Sequence, residues 1–146
     1  MDPVHARAWR ALMTVGQQLP SRLDAQLTAD AGIINIEYAI LGALAAAPGS
    51  MLRMGALAEG ALSSTPRTSK AVTRLEKRGL VERISCAGDG RAINVRLTRE
   101  GLRTYLRATP PHIELARDTL LADLSDEELT TLAELLERVT GRLDPS

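Results

Sequence analysis

Ser69, Lys70, Thr73 and Arg74 recur at steps of three and four within a stretch that opens at Thr65-Pro66 and closes at Gly79. Residues so spaced share one face of a helix. That face carries two cations and two hydroxyls, side chains able to hydrogen-bond base edges in a duplex groove wide enough for one helix. The only lysines of the chain, Lys70 and Lys77, both fall here. Arg67 and Lys77 flank the face, and Arg96 lies further along the same basic stretch, as candidates for phosphate contacts. Arg91 closes the run Ala87-Gly88-Asp89-Gly90-Arg91, a turn-forming sequence that would place an arginine at a hairpin tip, within reach of a minor groove or a phosphate.

These side chains need a frame, and the apolar spacing supplies one. Residues 4–28 read as a long helix, with Trp9, Leu12, Gly16, Leu19, Leu23 and Leu27 on one face and a kink or break expected at Pro20. A second helix spans 36–47, burying Tyr38, Leu41, Leu44 and Ala45, and Pro48-Gly49 ends it. A short helix follows from Arg53 to Glu59, then a turn over Gly60 to Thr65. Thr65 is expected to cap the next helix, with Pro66 in its first turn and Gly79 beyond its end. Ala71, Val72 and Leu75 point inward. Residues 80–84 and 92–97 alternate as two strands of a hairpin. Thr98 caps a long helix toward Ala122, bending at Pro110-Pro111. Ser125-Asp126-Glu127-Glu128 is a capping box for a last helix that carries Leu129, Leu132, Leu136 and Val139 on one face. The order of short helix, turn, polar-basic helix and basic hairpin is that of a winged helix-turn-helix. The fold class expected is mainly α, with about six helices and a two- to three-stranded β wing. Many small helical proteins contain such a helix pair, so the pattern alone leaves other readings open.

Composition narrows them. The 146 residues suit one domain or one subunit, and with 45% apolar residues the chain can build a core. Formal net charge is zero, but its distribution is uneven. Between Arg53 and Arg107 stand 12 Lys/Arg and 5 Asp/Glu, a net of +7, while the flanks hold 6 and 13, a net of −7. A basic module between acidic flanks points to a polyanionic partner. Trp9, Tyr38 and Tyr105 are the only aromatics of the Phe, Tyr and Trp class, and none lies between Arg67 and Arg99. Single-strand binders need aromatic platforms there, so the expected partner is double-stranded DNA. No apolar run approaches the ~20 residues of a bilayer span, and the N-terminus has no signal-like pattern, so a cytoplasmic protein with no membrane partner is expected. One cysteine excludes an internal disulfide, and two histidines, His5 and His112, make a poor metal set. No metal site and no cofactor are expected. No nucleophile–base pair or phosphate loop supports an enzyme. The alternatives are a protein-interaction module and a sequence-blind architectural DNA binder. The first would want apolar anchors where Lys70, Thr73 and Arg74 stand.

Three segments carry a family resemblance. They are Glu37-Tyr38-Ala39-Ile40-Leu41 through Leu52-Arg53-Met54-Gly55-Ala56-Leu57-Ala58; Arg74-Leu75-Glu76-Lys77-Arg78-Gly79-Leu80-Val81-Glu82-Arg83; and Asp89-Gly90-Arg91-Ala92 followed by Val95-Arg96-Leu97-Thr98-Arg99-Glu100-Gly101. In order and spacing the chain resembles the MarR family of bacterial regulators over nearly its whole length. The resemblance implies an intertwined homodimer, with residues 4–30 and 100–146 as dimerisation helices and 36–99 as the DNA-binding lobe. It implies a palindromic operator, most often under repression, and release by a small, often aromatic or phenolic, effector. By position it makes Ser69, Lys70, Thr73 and Arg74 the base-reading face and Arg91 the wing-tip arginine, oriented by an ion pair with Asp89. Gly90 stands where many members have a second arginine, which implies a weaker wing grip. Trp9, Tyr38 and Tyr105 are implied to border the effector crevice. Relatives that sense peroxides carry the reactive cysteine in the first helix, which has none here, so Cys86 reads as a small strand residue. The two apolar terminal helices independently favour a dimer, since a lone subunit has few partners to bury both.

Overall fold

The computed structural model describes residues 1–86 and 88–143, with the backbone alone for 86 and 89–91. The expectations for the side chains of Cys86, Asp89 and Arg91 therefore lie outside the described residues. The chain divides into two compact units, Met1–His112 and Ile113–Ser146.

The first unit opens with helix α1, Pro3–Ala31, capped by Asp2, whose carboxylate accepts from the backbone N–H of Val4 and His5 at 2.9 and 3.1 Å. Of the kink or break expected at Pro20, the break does not occur: α1 runs through Pro20 as one helix. Pro20 and Gly16, whose carbonyl loses its donor, are both exposed, so that carbonyl faces solvent. Gly32, at φ +66°, ends the helix in the left-handed conformation. Helix α2, Asn35–Ala46, follows and is buried through Glu37, Ile40, Leu41 and Leu44, while Tyr38 and Ala45 are only half-buried. Residues Met51–Arg53 form strand β1, and helix α3 is Met54–Gly60. Arg53 thus ends a strand rather than beginning a helix.

Helix α4, Thr65–Lys77, is capped by Ser64 and not by Thr65: the Ser64 hydroxyl accepts from Arg67 N–H at 3.3 Å, and Pro66 falls in the first turn, where its missing N–H costs nothing. Its end follows the sequence reading. Gly79 sits at φ +73°, Leu80 N–H reaches Leu75 O at 3.0 Å and Gly79 N–H reaches Glu76 O at 2.9 Å, the paired bonds of a Schellman cap. Strands β2, Val81–Cys86, and β3, Asp89–Leu97, form the hairpin, and β1 adds to the far edge of β3, giving the order β1-β3-β2 with all pairs antiparallel. The core of this unit joins Leu27 and Ile33 to Ile40, Leu41 and Leu44 of α2, Leu57 of α3, Val72 and Leu75 of α4, and Val81 and Val95 of the sheet. α4 presents Ala71, Val72 and Leu75 inward, as its spacing predicts, together with Thr68.

Helix α5, Arg99–Glu114, starts at Thr98, whose hydroxyl accepts from Gly101 N–H at 3.1 Å and donates to Gly79 O at 2.6 Å. It passes through Pro110 and Pro111 without ending; the carbonyls they leave without donors, on Leu106 and Arg107, belong to exposed residues. The second unit continues with a π-helical segment, Leu115–Leu120, and helix α6, Asp126–Thr140. The capping box is present: Glu128 N–H to Ser125 Oγ at 3.2 Å and Ser125 N–H to Glu128 Oε2 at 2.9 Å. Among the described residues there are six α-helices and one three-stranded sheet. No single helix among them is long and apolar enough to cross a membrane.

Candidate nucleic-acid interface

Burial of Thr68, Ala71, Val72 and Leu75 turns the opposite side of α4 outward. Arg67, Lys70, Arg74 and Lys77 are exposed there, with Ser69 and Thr73 half-buried at the margin facing the sheet. The six α4 residues singled out from sequence therefore lie on one accessible stretch of a single helix. Arg96 lies on β3 and Arg91 at the start of the same strand.

These side chains differ in how freely they move. The hydroxyl of Thr73 donates to Ser69 O at 3.1 Å, four residues back. Arg83 reaches across from β2: its Nη2 donates to Thr73 Oγ1 at 3.0 Å, to Ser69 O at 3.1 Å and, at 3.4 Å, to Ser69 Oγ. Arg83 Nη1 meets Glu76 Oε1 at 3.1 Å, and Arg83 N–H meets Glu76 Oε2 at 2.9 Å. The backbone N–H of Arg83, then its guanidinium, hold the Glu76 carboxyl below the usual carboxylate range. Arg74 Nε stands 3.7 Å from Oε2 of Glu37, whose other oxygen accepts from Ile34 N–H at 2.9 Å and caps α2. Arg78 Nη1 donates to Gly32 O at 2.6 Å, tying the end of α4 to the end of α1. Arg96 is held by Glu82 directly opposite in the sheet, through Nε and Nη2 at 2.9 and 2.8 Å. Both partners of that pair are about half exposed, and exposed pairs are weak. Arg83, Glu76, Glu37 and Arg78 were not singled out from sequence as site residues. The only sequence signal for them is their place within the quoted family segments.

A second cluster forms where α1, α2 and α5 meet. The rings of Tyr38 and Tyr105 lie 5.2 Å apart between centroids, and His112 packs on the other side of Tyr38 at 4.3 Å. Tyr105 lies over Gly42, 3.1 Å from where a Cβ would stand. Tyr38 Oη and Thr109 Oγ1 are 3.1 Å apart, and His112 Nδ1–H donates to Gln26 Oε1 at 2.9 Å. Burial raises the Tyr38 phenol above its ordinary value and depresses the His112 imidazole. His112 is thus a packed partner of Tyr38. Trp9 does not join these rings. It is 55% exposed and lies some 17 residues up α1 from Gln26, about 25 Å along the helix.

Residues 31–92, which run from the end of α1 through α2, α3, α4 and β2 into the first part of β3, match the family model described as MarR family. The transcriptional regulator HosA of Escherichia coli O157:H7 is 31% identical over 91% of this chain and 94% of its own length. The chain belongs to the MarR family. MarR relatives match it in structure as well: Sco3205, a MarR family transcriptional regulator from Streptomyces coelicolor whose crystal structure is a complex with DNA, superposes with a TM-score of 0.93 at 35% identity, over 100% of this chain and 92% of the other. The HTH-type transcriptional regulator PecS of Dickeya dadantii (strain 3937) is 38% identical over 56% of this chain, an alignment that spans 48% of PecS. The winged helix-turn-helix expected from sequence is therefore the fold of this MarR protein. The relatives named are transcriptional regulators.

Proposed function

We propose that this protein is a sequence-specific, double-strand DNA-binding transcriptional regulator. It acts as a repressor on a palindromic operator, binds as a homodimer, and is released by a small aromatic or phenolic effector. The observation that carries the reading is the outward face of α4, which carries Lys70, Arg74 and Arg67 beside a three-stranded wing. The likeness to Sco3205, solved with DNA bound, supports it. Ser69, Lys70, Thr73 and Arg74 meet base edges in the major groove. Arg67, Lys77 and Arg96 meet phosphates, and Arg91, oriented by Asp89, holds the flanking minor groove.

The homodimer is supported by apolar side chains left uncovered in the single subunit: Trp9 and Val15 on α1, Leu106 on α5, Leu135, Leu136 and Val139 on α6. The effector is supported by the Tyr38–Tyr105–His112 cluster, where aromatic faces and hydrogen-bonding tips converge.

Selection of bound duplexes from a random pool tests the reading. A two-fold palindrome with half-site centres about one helical turn apart, ~10 base pairs, is expected. Binding without enrichment would leave an architectural binder, and no binding at low salt would leave a protein-interaction module. Within the selected operator, Arg74→Ala weakens specific binding by about 1–3 kcal/mol more than random-duplex binding if Arg74 makes a bidentate base contact. Equal losses on both duplexes would reduce it to a phosphate contact.

A further inference from the structure

We propose that Arg83, on the wing strand and outside the DNA-facing set, is a positioning residue that sets the selectivity of α4 by fixing the hydroxyls of Ser69 and Thr73. The proposal rests on the DNA-binding reading above.

A threonine hydroxyl has one proton and two acceptor positions. The Thr73 proton is committed to Ser69 O at 3.1 Å, and Arg83 Nη2 occupies an acceptor position at 3.0 Å. Thr73 therefore has no proton left to donate to a base. It can offer one acceptor position and its methyl group. Threonine in a helix divides between two χ1 rotamers, and the Arg83 bond selects the one whose oxygen turns toward Ser69 O. Ser69 O takes both Thr73 Oγ1 and Arg83 Nη2, and Ser69 Oγ lies at 3.4 Å from the same nitrogen, so one nitrogen organises both hydroxyl residues.

Arg83 is itself locked. Its side chain is 24% exposed, its Nη1 is held by Glu76, and its own N–H donates to the other oxygen of that carboxylate. Glu76 belongs to α4 and Arg83 to β2, so the same contacts fix the wing strand to the recognition helix. A planar guanidinium fork can serve Glu76 on one nitrogen and the two hydroxyl residues on the other; a lysine ammonium cannot span both.

The base preference follows from these bonds. Guanine offers only acceptors, N7 and O6, in the major groove, whereas cytosine and adenine offer amino donors and thymine a methyl. With its proton committed, Thr73 discriminates against guanine at the position it faces. Releasing the rotamer lets the hydroxyl turn outward and donate, so guanine becomes tolerated there.

The test is selection of duplexes by the full-length wild type and by Arg83→Lys, followed by titration of the selected duplex, its single-base variants and a random duplex at several salt concentrations. Arg83→Lys keeps the charge and loses the fork. The expected result is that discrimination against guanine falls about ten-fold at one or two adjacent positions of each half-site, while the other positions, the random-duplex affinity and the salt slope stay as in wild type. Unchanged discrimination at every position overturns the proposal, as does an equal loss on selected and random duplexes. If wild type selects no motif, the DNA reading fails first and this proposal with it. A thermal melt by circular dichroism checks folding. Should Arg83→Lys fail to fold, Glu76→Gln, which weakens the anchor of the same fork, is read in the same assay with a smaller shift in the same direction expected.

Discussion

Replacing Gly101 by alanine should unsettle the winged lobe from a buried position in the first turn of α5. A Cβ at Gly101 would stand 2.0 Å from Leu80 O, 2.7 Å from Leu97 Cδ1 and 3.0 Å from Leu80 C. Non-bonded heavy atoms rest at ~3.5 Å, so the carbonyl falls short by about 1.5 Å. Leu80 has little room to give: its carbonyl accepts from Thr98 N–H at 3.2 Å, and its own N–H closes the Schellman cap of α4 on Leu75 O at 3.0 Å. Forcing a methyl into a packed site costs about 1–3 kcal/mol, and loss of the Thr98–Leu80 bond adds about 1 kcal/mol. Helix propensity returns up to ~1 kcal/mol. The net loss is about 1–3 kcal/mol, a sizeable share of the ~5–15 kcal/mol that holds a domain folded. Urea unfolding of Gly101→Ala and wild type at one fixed protein concentration reads it. Gly55→Ala is the control, because a Cβ there meets nothing within 4 Å; it should be neutral or stabilising by up to ~1 kcal/mol. A Gly101→Ala protein within ~0.5 kcal/mol of wild type would refute the reasoning, because neutrality of that degree belongs to open surface sites.

Three further outcomes are expected. Thr68→Val should stabilise the fold by about 1 kcal/mol in the same urea assay, because the fully buried Thr68 hydroxyl has no hydrogen-bond partner among the described residues; a loss of stability would mean that the hydroxyl is needed. Burial depresses His112, so between its folded and unfolded values the unfolded chain binds the extra proton. Its contribution is complete above the unfolded value, about 6.5, and declines as pH falls through that value toward the folded one. His112→Gln should flatten that part of the stability–pH curve, and an unchanged slope would remove His112 as its source. Leu136→Glu, on the uncovered face of α6, should shift the sedimentation of the protein from dimer to monomer; an unaltered dimer would place the interface elsewhere.

What the sequence made legible was local. The cap at Gly79, the box at Ser125–Glu128 and the inward row Ala71, Val72, Leu75 are each decided within a few residues, and each stands as read. Ser64 and Thr65 are both competent caps, and only the backbone geometry puts Ser64 outside the first turn. Strand β1 is three residues long and exists through its pairing with Asn94–Arg96 on β3, some forty residues away, so no periodicity announced it. Pro20 misled because helix breaking depends on whether the freed carbonyl can be solvated, which is a matter of exposure. Tyr38 and Tyr105 are drawn together by the packing of α5 on α2, and His112 and Gln26 join them only in three dimensions.

The charge count also changes meaning once the pairs are known. The count by itself treats every arginine of the lobe alike. In the structure Arg74, Arg78, Arg83 and Arg96 each face a carboxylate or a backbone carbonyl. Among the described residues, Arg67, Lys70 and Lys77 have no such side-chain partner. Free cations on flexible stems condense onto a phosphate backbone whatever its sequence, and the counterions they displace give the salt dependence. Tethered arginines do less of that, because each must first give up a partner, as Arg96 must give up Glu82; what they supply is a fixed geometry on α4 and on the strand beside it. On the proposed reading, untethered Arg67 and Lys77 add to affinity, whereas Arg83, the least exposed of the tethered arginines whose pairs include a carboxylate, adds to selectivity by holding Ser69 and Thr73.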